Sequence, residues 1–270
     1  MSTSKGNIGY TTVAVLKNLA INRWTGIILL LYGVFTSAVC FSDTFRERHI
    51  EIIDGNIVIT LTNKYLPFFM MAAILIVISP LFAGDKKIRM DELGDTCRNG
   101  KEHWKKAKIF AALLYTVSGV TVGFIIPIMM SSISQTPIYF KSMVFESANP
   151  DIKLSTAQFY LFSFAMILIG MLFLALLTSL ISSKTDESLI PFASVGLFFG
   201  IEAVLFSFRT PYYLWEINIF RLLKPYWFLF PSNPPFCPAH RAIIIVTTIF
   251  VVISCFVIWM LFGATVKREA

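Results

Sequence analysis

An acidic residue lies deep within an apolar segment of this chain of 270 residues. It is Glu202, in the run GLFFGIEAVLFSF, where a carboxylate exposed to lipid would be energetically costly. Such a carboxyl group can relay protons or cations, or it can hold helices together through hydrogen bonds. Because a relay needs further polar groups at the same depth, the structural role is favoured. Glu202 is therefore a candidate intramembrane polar site.

Patterns for metal, nucleotide or covalent chemistry are incomplete. The three histidines lie in three separate segments and the four cysteines lack a C-x-x-C spacing, so no metal site is predicted. Residues 94–102 nearly match a phosphate-binding P-loop, but five residues separate the glycines, and Glu102 stands where Ser or Thr would hold Mg²⁺. Neither G-x-S-x-G nor H-E-x-x-H occurs. We therefore predict no cofactor in this chain and no enzyme activity of its own.

The composition predicts an all-α integral membrane protein. Hydrophobic residues make up 56% of the chain and charged residues only 14%, whereas charged residues form about a quarter of an average soluble domain. A soluble fold of this size could not enclose so much apolar surface. The net charge of +7 is attributed to loops beside anionic lipid, so no nucleic-acid partner is predicted.

Six apolar runs are long enough to cross about 30 Å of hydrocarbon as helices. They cover residues 24–41, 65–83, 109–130, 159–181, 189–208 and 242–263. If the N-terminus is inside, about 14 of the 23 lysines and arginines are cytoplasmic, many of them in the loop of residues 84–108. The positive-inside rule therefore predicts that both termini lie in the cytoplasm.

Three segments outside these runs have patterns of their own. Residues 1–23 are predicted to be a cytoplasmic interfacial segment, because residues 10–22 can form a modestly amphipathic helix; a simple cytoplasmic coil is the alternative. In the first outer loop, Asp54-Gly55 stands between β-branched runs and predicts a small β-hairpin. Residues 212–230 are aromatic but carry charges in their middle, which favours a re-entrant outer hairpin. If this segment crossed instead, the C-terminus would lie outside.

The loop between the second and third runs carries an apolar ridge on a charged background. Met90, Leu93 and Cys97 recur at helical spacing, and Asn99-Gly100 then ends that helix. A second helix is predicted to begin near residue 101 and to continue into the third run. By these residues alone, a solvated positive loop with helical ends is favoured. A short helix joined rigidly to a membrane span could also transmit a push from a cytoplasmic partner.

This loop and the residues that follow it resemble the permease subunits of ABC-2-type ATP-binding cassette exporters. The residues that match the family pattern are Glu92, Leu93, Gly100, Lys101, Ala107, Lys108 and Ile109. The order of interfacial helix, six spans and re-entrant outer hairpin is also similar to that family. The chain departs from the pattern at Gly84-Asp85-Lys86-Lys87, where the family usually has an acid-rich junction.

The resemblance implies a transport subunit of the bacterial cytoplasmic membrane, paired with a second permease chain. Two separate ATPase subunits would bind the ATP and Mg²⁺, and the substrate would be amphipathic: an antimicrobial peptide, a lipid, a drug or an ion. The resemblance assigns the contact with the ATPase to Met90, Glu92, Leu93, Asp95, Thr96, Gly100 and Lys101. The alternative is a stand-alone secondary transporter or channel that uses Glu202, with helix breaks at Pro80, Pro127 and Pro191.

Overall fold

The structure is a computed structural model. It describes residues 8–42, 45–47, 50, 52, 56–87, 100–134, 155–207, 222–225, 249, 251–254 and 256. Across these residues every regular element is a helix and no β-strand occurs. The elements in chain order are α1 (Ile8–Ala20), α2 (Arg23–Phe41), α3 (Ile57–Thr60), a π-helical turn (Leu61–Tyr65), α4 (Leu66–Ile78), α5 (Pro80–Lys87), α6 (Gly100–Ile133), α7 (Thr156–Lys184) and α8 (Leu189–Ser207).

Among the described residues, four helical segments are long and apolar enough to cross a membrane, and the protein is therefore membrane-embedded. They are Arg23–Phe41, Ile57–Asp85, Trp104–Ile133 and Thr156–Lys184. The fifth predicted span coincides with α8, in which the described apolar stretch is the shorter Leu189–Ile201. Most of the sixth predicted span, residues 242–263, lies outside the described residues, although residues 249, 251–254 and 256 are described and helical. Most of the predicted hairpin of residues 212–230 also lies outside them.

The boundary between α1 and α2 is set by two polar side chains. Asn22 has a non-helical backbone conformation, with φ −57° and ψ 129°, and its side chain accepts a hydrogen bond of 3.0 Å from the N–H of Trp24. It therefore caps the first turn of α2. Thr25 donates its hydroxyl to the carbonyl of Leu19 at 2.9 Å, which satisfies a carbonyl at the end of α1. The predicted helix before the first span is thus present and separate from that span.

The second half of the predicted β-hairpin is wrong. Asn56 accepts a hydrogen bond of 3.2 Å from the N–H of Ile59 and caps α3, so Ile57–Thr60 is helical. The helical segment then continues to Asp85, and the second span begins at Ile57 rather than at residue 65. The β-branched residues favour a strand locally, but a helix satisfies every backbone group within an apolar span. That requirement overrides the local preference.

Helices α4, α6 and α7 form the centre of the bundle. Helix α1 packs mainly along α6, while α4 contacts both α2 and α7. Glycines on α6 allow the close approach of α4: a Cβ atom added at Gly119 would lie 2.7 Å from Met70, and one added at Gly123 would lie 2.3 Å from Leu66. Small residues at such contacts are typical of helix packing in membranes.

A short turn from the later part of the chain, residues 222–225, is inserted against this bundle. Leu222 and Leu223 are fully buried, and a Cβ atom added at Gly170, the midpoint of α7, would lie 2.7 Å from Leu223. The ammonium group of Lys224 lies 5.4 Å from the centre of the Phe68 ring. Because Leu223 lies against Gly170, the turn is level with the middle of α7, one of the candidate spans.

Candidate functional site

A buried ion pair joins α5 to α6 beside the charged loop of residues 88–99. The ammonium group of Lys108 donates to the carboxylate of Asp85, and also to the carbonyl of Leu81 at 2.5 Å. The side chain of Lys108 is 4% exposed and that of Asp85 is 19% exposed. An ion pair with so little exposure is much less screened than a surface pair. It therefore connects the segment before the loop firmly to the helix after it.

Aromatic side chains complete the surroundings of this pair. The indole N–H of Trp104 donates to the same oxygen of Asp85 at 3.0 Å. The Lys108 ammonium lies 5.2 Å from the centre of the Phe82 ring and 5.4 Å from the centre of the Trp104 ring. Trp104 and Lys108 are four residues apart on α6 and so lie on one face of that helix. A carboxylate, a carbonyl and two ring faces together replace the water that this cation loses on burial.

A second polar contact joins the same region to α7. Pro80 has no N–H group, so the hydrogen-bond pattern of the helical segment is interrupted between α4 and α5, although the backbone stays helical at Ser79. The hydroxyl of Ser182 accepts hydrogen bonds from the N–H groups of Phe82 and Ala83, each at 3.2 Å, and donates to the carbonyl of Ser79 at 2.7 Å. A single hydroxyl group thus satisfies backbone groups on both sides of the break. We call Asp85, Trp104, Lys108 and Ser182 the junction cluster.

Substitution of Ser182 by alanine is expected to lower the free energy of unfolding by about 2 kcal/mol, because three buried backbone groups each lose a hydrogen bond. Thermal unfolding of the purified chain in detergent measures this change. Ser183→Ala is the matched control: the hydroxyl of Ser183 bonds only to Leu180 of its own helix, and the expected change is within about 0.5 kcal/mol. Equal effects of the two substitutions would contradict the role given to Ser182.

A comparable arrangement is found at Pro127, within the C-terminal half of α6. A proline removes the hydrogen bond to the carbonyl four residues earlier, here that of Gly123. The hydroxyl of Tyr32 on α2 donates to this carbonyl at 3.3 Å, and Tyr160 on α7 donates to the neighbouring carbonyl of Phe124 at 2.5 Å. Hydroxyl groups of neighbouring helices commonly satisfy backbone groups freed by proline in membrane helices. These two contacts join α6 to α2 and to α7, far from the junction cluster.

No protein-family model, curated protein or solved structure matches this chain. Function must therefore be inferred from the residues and their geometry. Within the described ranges, no three His, Cys, Asp or Glu side chains come together in a way that could hold a metal ion.

Only some of the site residues predicted from the sequence lie in the described part of the structure. Met90, Glu92, Leu93, Asp95 and Thr96 lie outside the described residues. Gly100 and Lys101 are the first two residues of α6, so the predicted helix that leads into the third span is confirmed. Glu202 lies on α8, but its side chain is outside the described part of the chain.

Sequence reasoning missed the contacts of the junction cluster. In the sequence, Asp85 was noted only because it departs from the pattern of ABC-2-type permeases, and Lys108 only because it matches that pattern. The available signal was that one acid and one lysine stand close to the ends of apolar runs on either side of the same loop. No sequence signal pointed to Ser182 or Trp104. Ser182 bonds to backbone groups of another helix, and Trp104 bonds to a carboxylate 19 residues earlier in the chain, so both contacts depend on how the helices pack.

Proposed function

We propose that the chain is the permease subunit of an ATP-driven exporter of the ABC-2 type, which moves an amphipathic substrate across the bacterial cytoplasmic membrane. The observation that carries this proposal is the junction cluster, because it ties both ends of the charged loop to the helix bundle. Lys108 belongs to the motif that resembles the family, and it pairs with Asp85, the single acid at the junction where the family usually has several. Although the sequence at this junction departs from the family pattern, Asp85 therefore still provides a carboxylate that pairs with Lys108.

In this proposal a separate ATPase subunit pushes on the loop of residues 88–99. Movement of the loop passes directly into α6, and through Lys108 and Asp85 into α5. Through Ser182 it also reaches α7. Since all three helices move together, a displacement at the loop can change the packing of the whole bundle. Binding of ATP would then bias the bundle toward one of two arrangements through differential contacts with the ATPase.

The proposed topology has six crossings, both termini in the cytoplasm and a re-entrant outer hairpin at residues 212–230. The asymmetric distribution of basic residues supports the orientation. The buried turn of Leu222 and Leu223 beside Gly170 supports a hairpin that dips into the bundle. Its charged neighbours make a full crossing costly. A second permease chain would complete the pathway, and the ATPase subunits would bind the ATP and Mg²⁺.

The test is co-purification of the chain with an ABC ATPase subunit from the same genome. Leu93→Asp is expected to lower recovery of the ATPase by about tenfold or more, because it introduces a charge into the apolar ridge that would contact the partner. Ile138→Asp, in the predicted outer loop between the third and fourth spans, provides a control on the opposite side of the proposed membrane. Unchanged recovery with Leu93→Asp, together with normal folding, would remove the coupling proposal.

A further inference from the structure

A cavity of about 150 Å³ lies between α2, α4 and α6. Ile28 and Leu29 of α2 form one wall, Met70 and Ala73 of α4 form a second, and Val122 contributes to the third from α6. A cavity of this size holds a benzene-sized group when its walls are apolar. The space is therefore large enough for a short run of methylene groups.

The polar groups at one end of the cavity are already satisfied. The hydroxyl of Thr25 uses its proton in the hydrogen bond to the Leu19 carbonyl. The hydroxyl of Tyr115 lies 3.0 Å from that of Thr25 and must therefore donate to it. Ser118 donates to the carbonyl of Tyr115 within its own helix. Since none of these donors needs another partner, the cavity offers a ligand apolar contact rather than hydrogen bonds.

The cavity borders the apolar outer surface of α2. Ile27, Leu30 and Leu31 are between 44% and 64% exposed, so this side of α2 would face lipid in a membrane. Arg23 begins the helix, and its guanidinium lies 5.5 Å from the centre of the Trp24 ring. From Thr25 to Tyr32 the cavity follows α2 for about 10 Å. Along α2, the cation of Arg23 at the N-terminal end is thus followed by an apolar cavity that extends along the part of the helix that would lie in the bilayer.

We propose that the cavity binds an acyl chain of a membrane phospholipid whose phosphate lies near Arg23. The ligand matches the order of chemical groups along α2, with an anion beside the arginine and an alkyl chain beyond it. Lipid is also the ligand that surrounds these helices at the highest concentration. The bound chain would touch α2, α4 and α6 together, close to the joint between α1 and α2. This inference requires only that the protein is membrane-embedded, and it goes beyond the proposed exporter function.

Photolabelling of the full-length chain tests this site. The protein is reconstituted into phosphatidylcholine vesicles doped with phosphatidylcholine that carries a diazirine in one acyl chain, and labelled residues are identified by mass spectrometry. Met70 and Ala73 are only 3% and 4% exposed, so a lipid chain reaches them only through the cavity. We expect about fivefold more label there than at Ile78, which is fully buried away from the cavity. Equal labelling of these positions would overturn the proposal.

Filling the cavity provides the second arm of the experiment. Ser118→Phe is expected to lower labelling of Met70 about fivefold while labelling of the lipid-facing Leu30 stays unchanged. Ser132→Phe is the matched control, because Ser132 is likewise exposed and bonds only within α6, but it lies away from the cavity. If Ser118→Phe does not fold, Leu29→Phe fills the same space from α2. Undiminished labelling of Met70 in a folded cavity-filled variant would overturn the proposal.

Discussion

Replacement of Asp85 by leucine is expected to lower the free energy of unfolding by about 3–5 kcal/mol. The reason for so large a loss is that the ammonium group of Lys108 would stay buried without the carboxylate that faces it. Thermal unfolding in detergent measures the change. Glu187→Leu is a control of the same chemistry at an exposed position between α7 and α8, where a change within about 0.5 kcal/mol is expected.

The double variant Asp85→Leu with Lys108→Met separates the ion pair from the packing around it. Because both charges are removed together, no buried charge is left, and the double variant should recover much of the lost stability. If the double variant is as unstable as the sum of the two single variants, the two side chains do not interact. That result would remove the junction cluster as the connection between α5 and α6.

Substitution of Gly123 by leucine is expected to lower the free energy of unfolding by about 3 kcal/mol through overpacking between α4 and α6. An added Cβ atom alone would lie 2.3 Å from one methyl group of Leu66, and that side chain is 1% exposed, so it has little room to move. Thermal unfolding of the purified variant again provides the measurement. At Gly119 the facing side chain is Met70, which is more flexible than leucine. We therefore expect a smaller loss of stability for Gly119→Leu than for Gly123→Leu.

Two companion variants distinguish overpacking from a general intolerance of substitution. Gly33→Leu on α2 is the matched control, because no atom lies within 4 Å of an added Cβ there. Its effect on stability should be within about 0.5 kcal/mol. Leu66→Ala combined with Gly123→Leu exchanges volume across the contact and should recover part of the loss. A loss as large at Gly33 as at Gly123 would contradict the proposed close packing of α4 on α6.

The helical character of the long apolar runs could be predicted from the sequence. Helices occupy the first five predicted spans, and four segments in the described part of the chain are long and apolar enough to cross a membrane. Length and hydrophobicity are local properties, and a helix satisfies its own backbone within one segment. Local propensity failed at residues 57–61, where β-branched residues predicted a strand but helical structure extends the second span. The same rule of backbone satisfaction explains both results.

The sequence by itself determined that the chain is apolar enough to need a membrane, which segments are long helices, and that Pro80 and Pro127 must leave backbone groups without helical partners. Only the tertiary structure decided which side chains bond to the backbone at these prolines: Ser182 contacts residues 79, 82 and 83 around the first, Tyr32 contacts the carbonyl freed by the second, and Tyr160 contacts the carbonyl next to it. It also brought Asp85 to Lys108. These partners come from different helices, and their meeting depends on how the helices pack. Hydrophobicity along one segment carries no information about that packing.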